Sequence, residues 1–227
     1  MSNHLYQGKD PYFFPECYKR PKSEIFSGYI DDLAQMVISC DEFDIVGHFD
    51  YIMRYSTYED PTIRYSDAPD SFDRFLQALV REKKSLEINT RSINKLITKN
   101  IKNIWPDRNI LERYKALGGE RVTLGSYSHD PSTLGFYFEE TAAYLKTCGF
   151  KELTTYIGRK EIRTPILLKL KICINTRIPV SPVFVYENGY ILVLLAIVNI
   201  AEDPDIARPD IFNVCGYNPI GHGNRRQ

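Results

Sequence analysis

The stretch from Phe43 to Tyr55, FDIVGHFDYIMRY, places a histidine, a carboxylate and an arginine close together. Phe43 to Gly47 reads as a short buried strand that ends on a glycine. His48 and Asp50 then stand where the strand hands over to a loop, as two possible ligands for a divalent metal. Six residues past His48 is Arg54, whose planar fork suits a phosphate. Together these are raw material for metal-assisted phosphate chemistry. Other readings stand beside it. A histidine near a strand end is most often simply hydrogen-bonded, and Arg54 could pair with Asp50 or Glu59 instead of a ligand.

The surrounding pattern supplies strand ends of the right kind. Ile25, Phe26, Tyr29, Ile30, Leu33, Met36 and Val37 recur at helical spacing from Ser23 to Cys40, with Ser23 as a candidate cap. Phe72, Phe75, Leu76, Leu79 and Val80 give a second helix. Leu86 to Thr90 reads as a strand, and residues 91–106 as a basic connection. A helix from Asn109 to Leu117 stops at Gly118-Gly119, and Val122-Thr123-Leu124 is a third strand ending in Gly125-Ser126-Tyr127-Ser128-His129-Asp130. Leu134 to Thr147 is a further helix, and Leu153 to Tyr156 a fourth strand. Strand–helix alternation is the rhythm of a parallel β/α fold, whose chemistry collects at the carboxyl ends of its strands. The reactive-looking ends are at His48, at Glu87-Ile88-Asn89 and at His129. Glu87 taken alone reads as a half-buried carboxylate paired with a lysine, and His129 beside Asp130 as a turn.

The bulk properties narrow the class. The 227 residues carry 29 basic and 29 acidic side chains. That balance gives no electrostatic reason for nucleic acid or an anionic membrane as partner. Hydrophobic residues make up 43%, and sixteen tyrosines and twelve phenylalanines fit a packed core. Five dispersed cysteines, with no CxxC pair, indicate neither a disulfide framework nor a zinc ribbon. The longest apolar run, Tyr190 to Ala201, is too short to span a bilayer, and the start shows no signal-peptide architecture. A cytoplasmic location is the expectation. No GxSxG, GxxxxGK[ST] or GxGxxG motif is present. After about residue 165 the β/α rhythm is lost, so a boundary is expected there, between residues 1–165 and an unassigned tail, 166–227.

Several blocks resemble, in order, the histidinol-phosphatases of the polymerase-and-histidinol-phosphatase (PHP) superfamily: SNHLYQGKDPYF, FDIVGHFDYIMRY, LEINT, ILERYKALGGERVTLGSYSH and LKTCGF. The resemblance covers about residues 2 to 161. It implies an α/β fold, a distorted parallel β/α barrel, here incomplete. It further implies a cluster of divalent metals (zinc, manganese or iron) at the strands' carboxyl ends. An activated water would hydrolyse L-histidinol phosphate to L-histidinol and phosphate, in histidine biosynthesis. Carried over by position, His4 matches the S-x-H ligand, His48 the ligand of the G-H-x-D block and His129 the last histidine of G-S-D-A-H. Arg54 is the candidate phosphate contact, and Asp50 becomes a supporting residue.

Three departures accompany the match. The family's D-x-H-x-H motif is absent, so the chain reads as beginning partway through the fold. Tyr127 stands where G-S-D-A-H has its aspartate. The tail has no counterpart. The competing expectation is therefore a non-catalytic truncated remnant, or one half of a split enzyme whose N-terminal half is separately encoded.

Overall fold

The computed structural model describes residues 1–129 and 131–166, with Ser132 by its backbone alone, and two further strands, Val183–Glu187 and Tyr190–Leu194. Residues 1–129 and 131–166 fall within one compact unit. The two further strands form a two-stranded sheet of their own. Apart from these strands and Ile166, the expected tail lies outside the described residues, as does Asp130.

The first long helix, α1 (Lys22–Ser39), buries Ile25, Phe26, Tyr29, Ile30, Leu33 and Val37, the stripe expected from its spacing. Pro21 occupies the N-cap position, and Ser23 falls inside the first turn rather than capping it. Helix α2 (Pro69–Arg81) starts on a proline, whose fixed φ and missing N–H suit a first turn. It buries Phe72, Phe75, Leu76 and Leu79 and packs along α1. Arg74 on α2 reaches Asp31 on α1 at 2.6 Å.

Between and beyond these helices run three parallel strands, β1 (Ile45–Val46), β2 (Ser85–Asn89) and β3 (Val122–Gly125), in the order β1-β2-β3. Val46 pairs with Leu86, and Asn89 with Gly125, so the carboxyl ends of β2 and β3 are level. Val46, Leu86, Ile88 and Val122 are buried, as expected for a parallel sheet with covered faces. Met1 and Ser2 lie along the outer edge of β1. The Gly47 amide donates to the Met1 carbonyl at 2.8 Å, Met1 N donates to Ile45 O at 2.7 Å, and Ser2 bridges Gly47 in parallel sense. Tyr29 OH on α1 donates to Asn3 O at 2.7 Å. These bonds bring His4 to the carboxyl end of the sheet.

Two connections differ from expectation. Residues 91–106 are not simply a connection: α3 (Thr90–Thr98) rises directly from β2, with the Asn89 side chain accepting the Arg91 amide at 3.1 Å. Its buried face is short, Ile93 and Leu96, which left little periodicity to read. Helix α4 (Arg108–Ala116) follows, capped by Asp107 and closed by Gly118 at φ +92°. The last helix, α5, runs Phe138–Thr147, starting later than Leu134, because Gly135 and Tyr137 both take left-handed conformations. The expected fourth strand, β4 (Glu152–Ile157), pairs antiparallel with β5 (Lys160–Pro165). Gly158 and Arg159, at φ +55° and +63°, form the two-residue turn that suits a hairpin. The β/α rhythm thus gives way at β4, before residue 165.

The approach to β1 is fixed by a buried cation. Lys84 donates through Nζ to Asp41 O at 2.8 Å and Phe43 O at 2.7 Å, and lies 4.8 Å from the Phe43 ring centroid. Lys84→Met keeps the apolar stem and removes both bonds. It is expected to lower stability by about 1–3 kcal/mol, read as a lower urea midpoint; an unchanged midpoint would show that the lysine contributes nothing here.

Candidate active site

His4 and His48 meet at the carboxyl end of the sheet, with their Nε2 atoms 3.4 Å apart. His48 follows Gly47 directly at the end of β1 and holds φ +32°, a left-handed conformation that costs energy for a side-chain-bearing residue. Its backbone amide is held by Glu87 of β2, whose Oε2 accepts at 2.6 Å and also accepts from the Asn89 side-chain Nδ2 at 3.0 Å. His4 lies flat on Tyr51, centroids 4.2 Å apart at 7°, and Tyr51 OH donates to Asp10 at 3.0 Å. Each imidazole is therefore placed by its own support.

The electrostatics keep both rings neutral. Burial lowers the pKa of His48 to about 3, helped by the Arg54 charge and by His4. Burial also lowers that of His4, with Arg54 adding to it and Asp10 opposing it. Two neutral imidazole nitrogens at this distance share either a proton or a metal ion. Zinc–nitrogen bonds of about 2.0–2.1 Å at a tetrahedral angle would put two ligand nitrogens about 3.4 Å apart, so the pair fits two positions of one divalent ion. Among the described residues no group of three or more histidine, cysteine or acidic side chains gathers around one point.

Arg54 is buried beside this pair, 3% exposed. Its Nε donates to Ser92 Oγ at 2.9 Å, and Ser92 Oγ donates in turn to Asp50 at 2.8 Å. Arg54 Nη2 lies 3.9 Å from Asp50, at the limit of an ion pair, and has no hydrogen-bond partner among the described residues; nor has His48 Nδ1. Asp50 is buried, and burial raises its pKa while Arg54 opposes the rise. The structure thus separates Asp50 from His48: the aspartate orients Arg54 through Ser92 and is not set against the histidine pair. A buried guanidinium with a free N–H is a strong donor awaiting an anionic oxygen.

His129 is exposed and stands apart from the pair. It lines a cavity of about 270 Å³ with Arg91, Asn94, Lys95, Ser126 and Tyr127, among others. Tyr127, at φ +42°, has its ring 5.0 Å from that of His48 and 5.1 Å from that of His129. Glu87, Tyr51, Ser92 and Arg91 escaped the sequence reading as site residues. Glu87 is bonded to the His48 amide rather than to a lysine. A signal for it did exist: Glu87 sits in a strand beside Gly125, where its side chain can cross the neighbouring strand only because a hydrogen stands in place of Cβ.

Comparisons with known proteins bear on this geometry. No protein-family model matches the chain. A probable histidinol-phosphatase from Clostridium acetobutylicum is 34% identical over 150 residues, covering 66% of this chain and 57% of that protein. The histidinol-phosphatase of Lactococcus lactis is 30% identical over 156 residues, 69% of this chain and 54% of that protein. This chain resembles the histidinol-phosphatases. A crystal structure of histidinol phosphate phosphatase from L. lactis, in complex with zinc, L-histidinol and phosphate, matches with a TM-score of 0.54 and 27% identity. The match covers 70% of this chain and 59% of that one. The chain spans about half the length of the curated relatives it matches. Among the described residues no helix is long and apolar enough to cross a membrane.

A Cβ at Gly125 would collide with Glu87 Oε1, so any side chain there must displace the carboxylate that holds His48. Gly125→Ala should cost about 1–3 kcal/mol and shift the His48 amide resonance as its bond to Glu87 is lost. An unshifted amide at wild-type stability would contradict this packing.

Proposed function

We propose that the chain acts as a metal-dependent histidinol-phosphatase, hydrolysing L-histidinol phosphate to L-histidinol and phosphate. One observation carries the reading: a pair of imidazoles at ligand spacing lies beside a buried arginine with an unpartnered N–H. The likeness to histidinol-phosphatases, and to one crystallised with zinc, L-histidinol and phosphate, supports the same substrate here. It favours this reading over a non-catalytic remnant. We further assign the three parallel strands and the Met1–Ser2 segment to a PHP-type β/α barrel, the fold that the sequence resemblance implies.

His4 and His48 would hold a divalent ion, zinc by analogy with the crystallised relative. When bound, such an ion lowers the pKa of water and neutralises phosphoryl oxygens. The chain's own residues do the rest. Arg54, the candidate phosphate contact, would turn its enclosed, unpartnered Nη2 toward a phosphoryl oxygen on binding, and the Asp50–Ser92 relay positions the guanidinium for it. Tyr51 keeps the His4 ring flat against it, and Asp10 fixes Tyr51. Arg91 and Lys95 line the neighbouring cavity and add positive field, which favours a dianionic ester.

The test is phosphate release from L-histidinol phosphate by the whole chain supplied with zinc or manganese. Turnover is expected, with removal of the metal by chelation abolishing it. Arg54→Met should lower kcat/KM about 100-fold, the usual effect of deleting one donor to developing charge. No phosphate release above blank from metal-loaded, folded chain would contradict the proposal, as would an Arg54→Met variant with unchanged kcat/KM.

A further inference from the structure

Tyr127 lies against His4, His48, His129, Arg54 and Arg91. Its ring is T-shaped to His48, centroids 5.0 Å apart at 75°, and to His4 at 6.3 Å and 83°. On its other contacts it meets His129 at 5.1 Å and 62°. No ring contact joins His129 directly to His4 or His48. The guanidinium carbons of Arg54 and Arg91 lie 5.5 Å and 5.4 Å from the Tyr127 centroid, within cation–π range. Arg91 also donates through Nη1 to the Tyr127 carbonyl at 2.9 Å. Two guanidiniums and a backbone bond therefore hold the ring, although its outer part is exposed.

We propose that Tyr127 partitions the site, so that the chain binds one divalent ion at the His4–His48 pair and withholds His129 from it. The ring stands 5.0 Å from that of His48 and 5.1 Å from that of His129, and it contributes no carboxylate oxygen. On the far side, His129 shares its cavity with Arg91 and Lys95. Fixed positive charge there repels a second dication and attracts an anionic oxygen. His129 accordingly belongs to the anion side of the site. This rests on the reading of His4 and His48 as metal ligands, and the experiment separates the two claims.

The measurement is zinc bound per chain by equilibrium dialysis and elemental analysis, counted above the His48→Ala background to remove adventitious sites. One equivalent is expected for the wild type and one for His129→Ala, an exposed position whose substitution leaves the core untouched. Tyr127→Asp, which opens the space and adds a donor, should raise the count to two. A wild type that binds two, falling to one in His129→Ala, overturns the partition while leaving the His4–His48 pair intact. A Tyr127→Asp variant that folds and still binds one also overturns it. No zinc above background in the wild type overturns the metal reading of the pair itself.

Discussion

The site depends on one carboxylate. Glu87 rises from the middle strand of the parallel sheet, takes the His48 amide at 2.6 Å, and lies across Gly125 of the next strand. It thereby ties together the carboxyl ends of β1, β2 and β3. His48 is held in a left-handed conformation that it would not choose by itself, and the short, charge-assisted bond from Glu87 offsets that cost. Once His48 is so placed, its Nε2 meets His4, which the edge pairing of Met1 and Ser2 with β1 delivers to the same corner.

A second layer of organisation is electrostatic. Arg54 is buried and incompletely paired, and its charge helps to hold both imidazoles in the neutral form that a metal ligand requires. The same charge would be costly in a site designed only for cations. Its presence makes sense where a cation and an anion are to be held side by side, as in a metal-assisted phosphate ester hydrolase. The Tyr127 ring lies within cation–π range of that guanidinium and also lines the cavity that holds Arg91 and Lys95.

Much of this was legible in the sequence where a short pattern encodes it. The apolar spacing of α1 and α2, the Gly118 stop after α4 and the strand ends at His48 and Asn89 all follow from local chemistry. The resemblance singled out His4, which its own neighbours would not have marked, and the structure sets it beside His48. What escaped was set by tertiary contacts. Asp50 and His48 are two residues apart, yet a 3-10 turn at Tyr51–Met53 begins between His48 and Arg54 and leaves the aspartate to Ser92. Glu87 had no local partner to reveal its role, since its acceptor duty lies 39 residues away in the chain. The β4–β5 hairpin was hidden because four β-prone residues read alike in parallel and antiparallel sheets, and only the Gly158-Arg159 turn decides between them.

The central claim is that His4 and His48 act together as ligands to one divalent ion. X-ray absorption at the zinc edge of the zinc-loaded chain tests it most directly. The account predicts two imidazole nitrogens at about 2.0–2.1 Å in the first shell, falling to one or none in His48→Ala. A shell of oxygens alone, or one unchanged by the substitution, would contradict it.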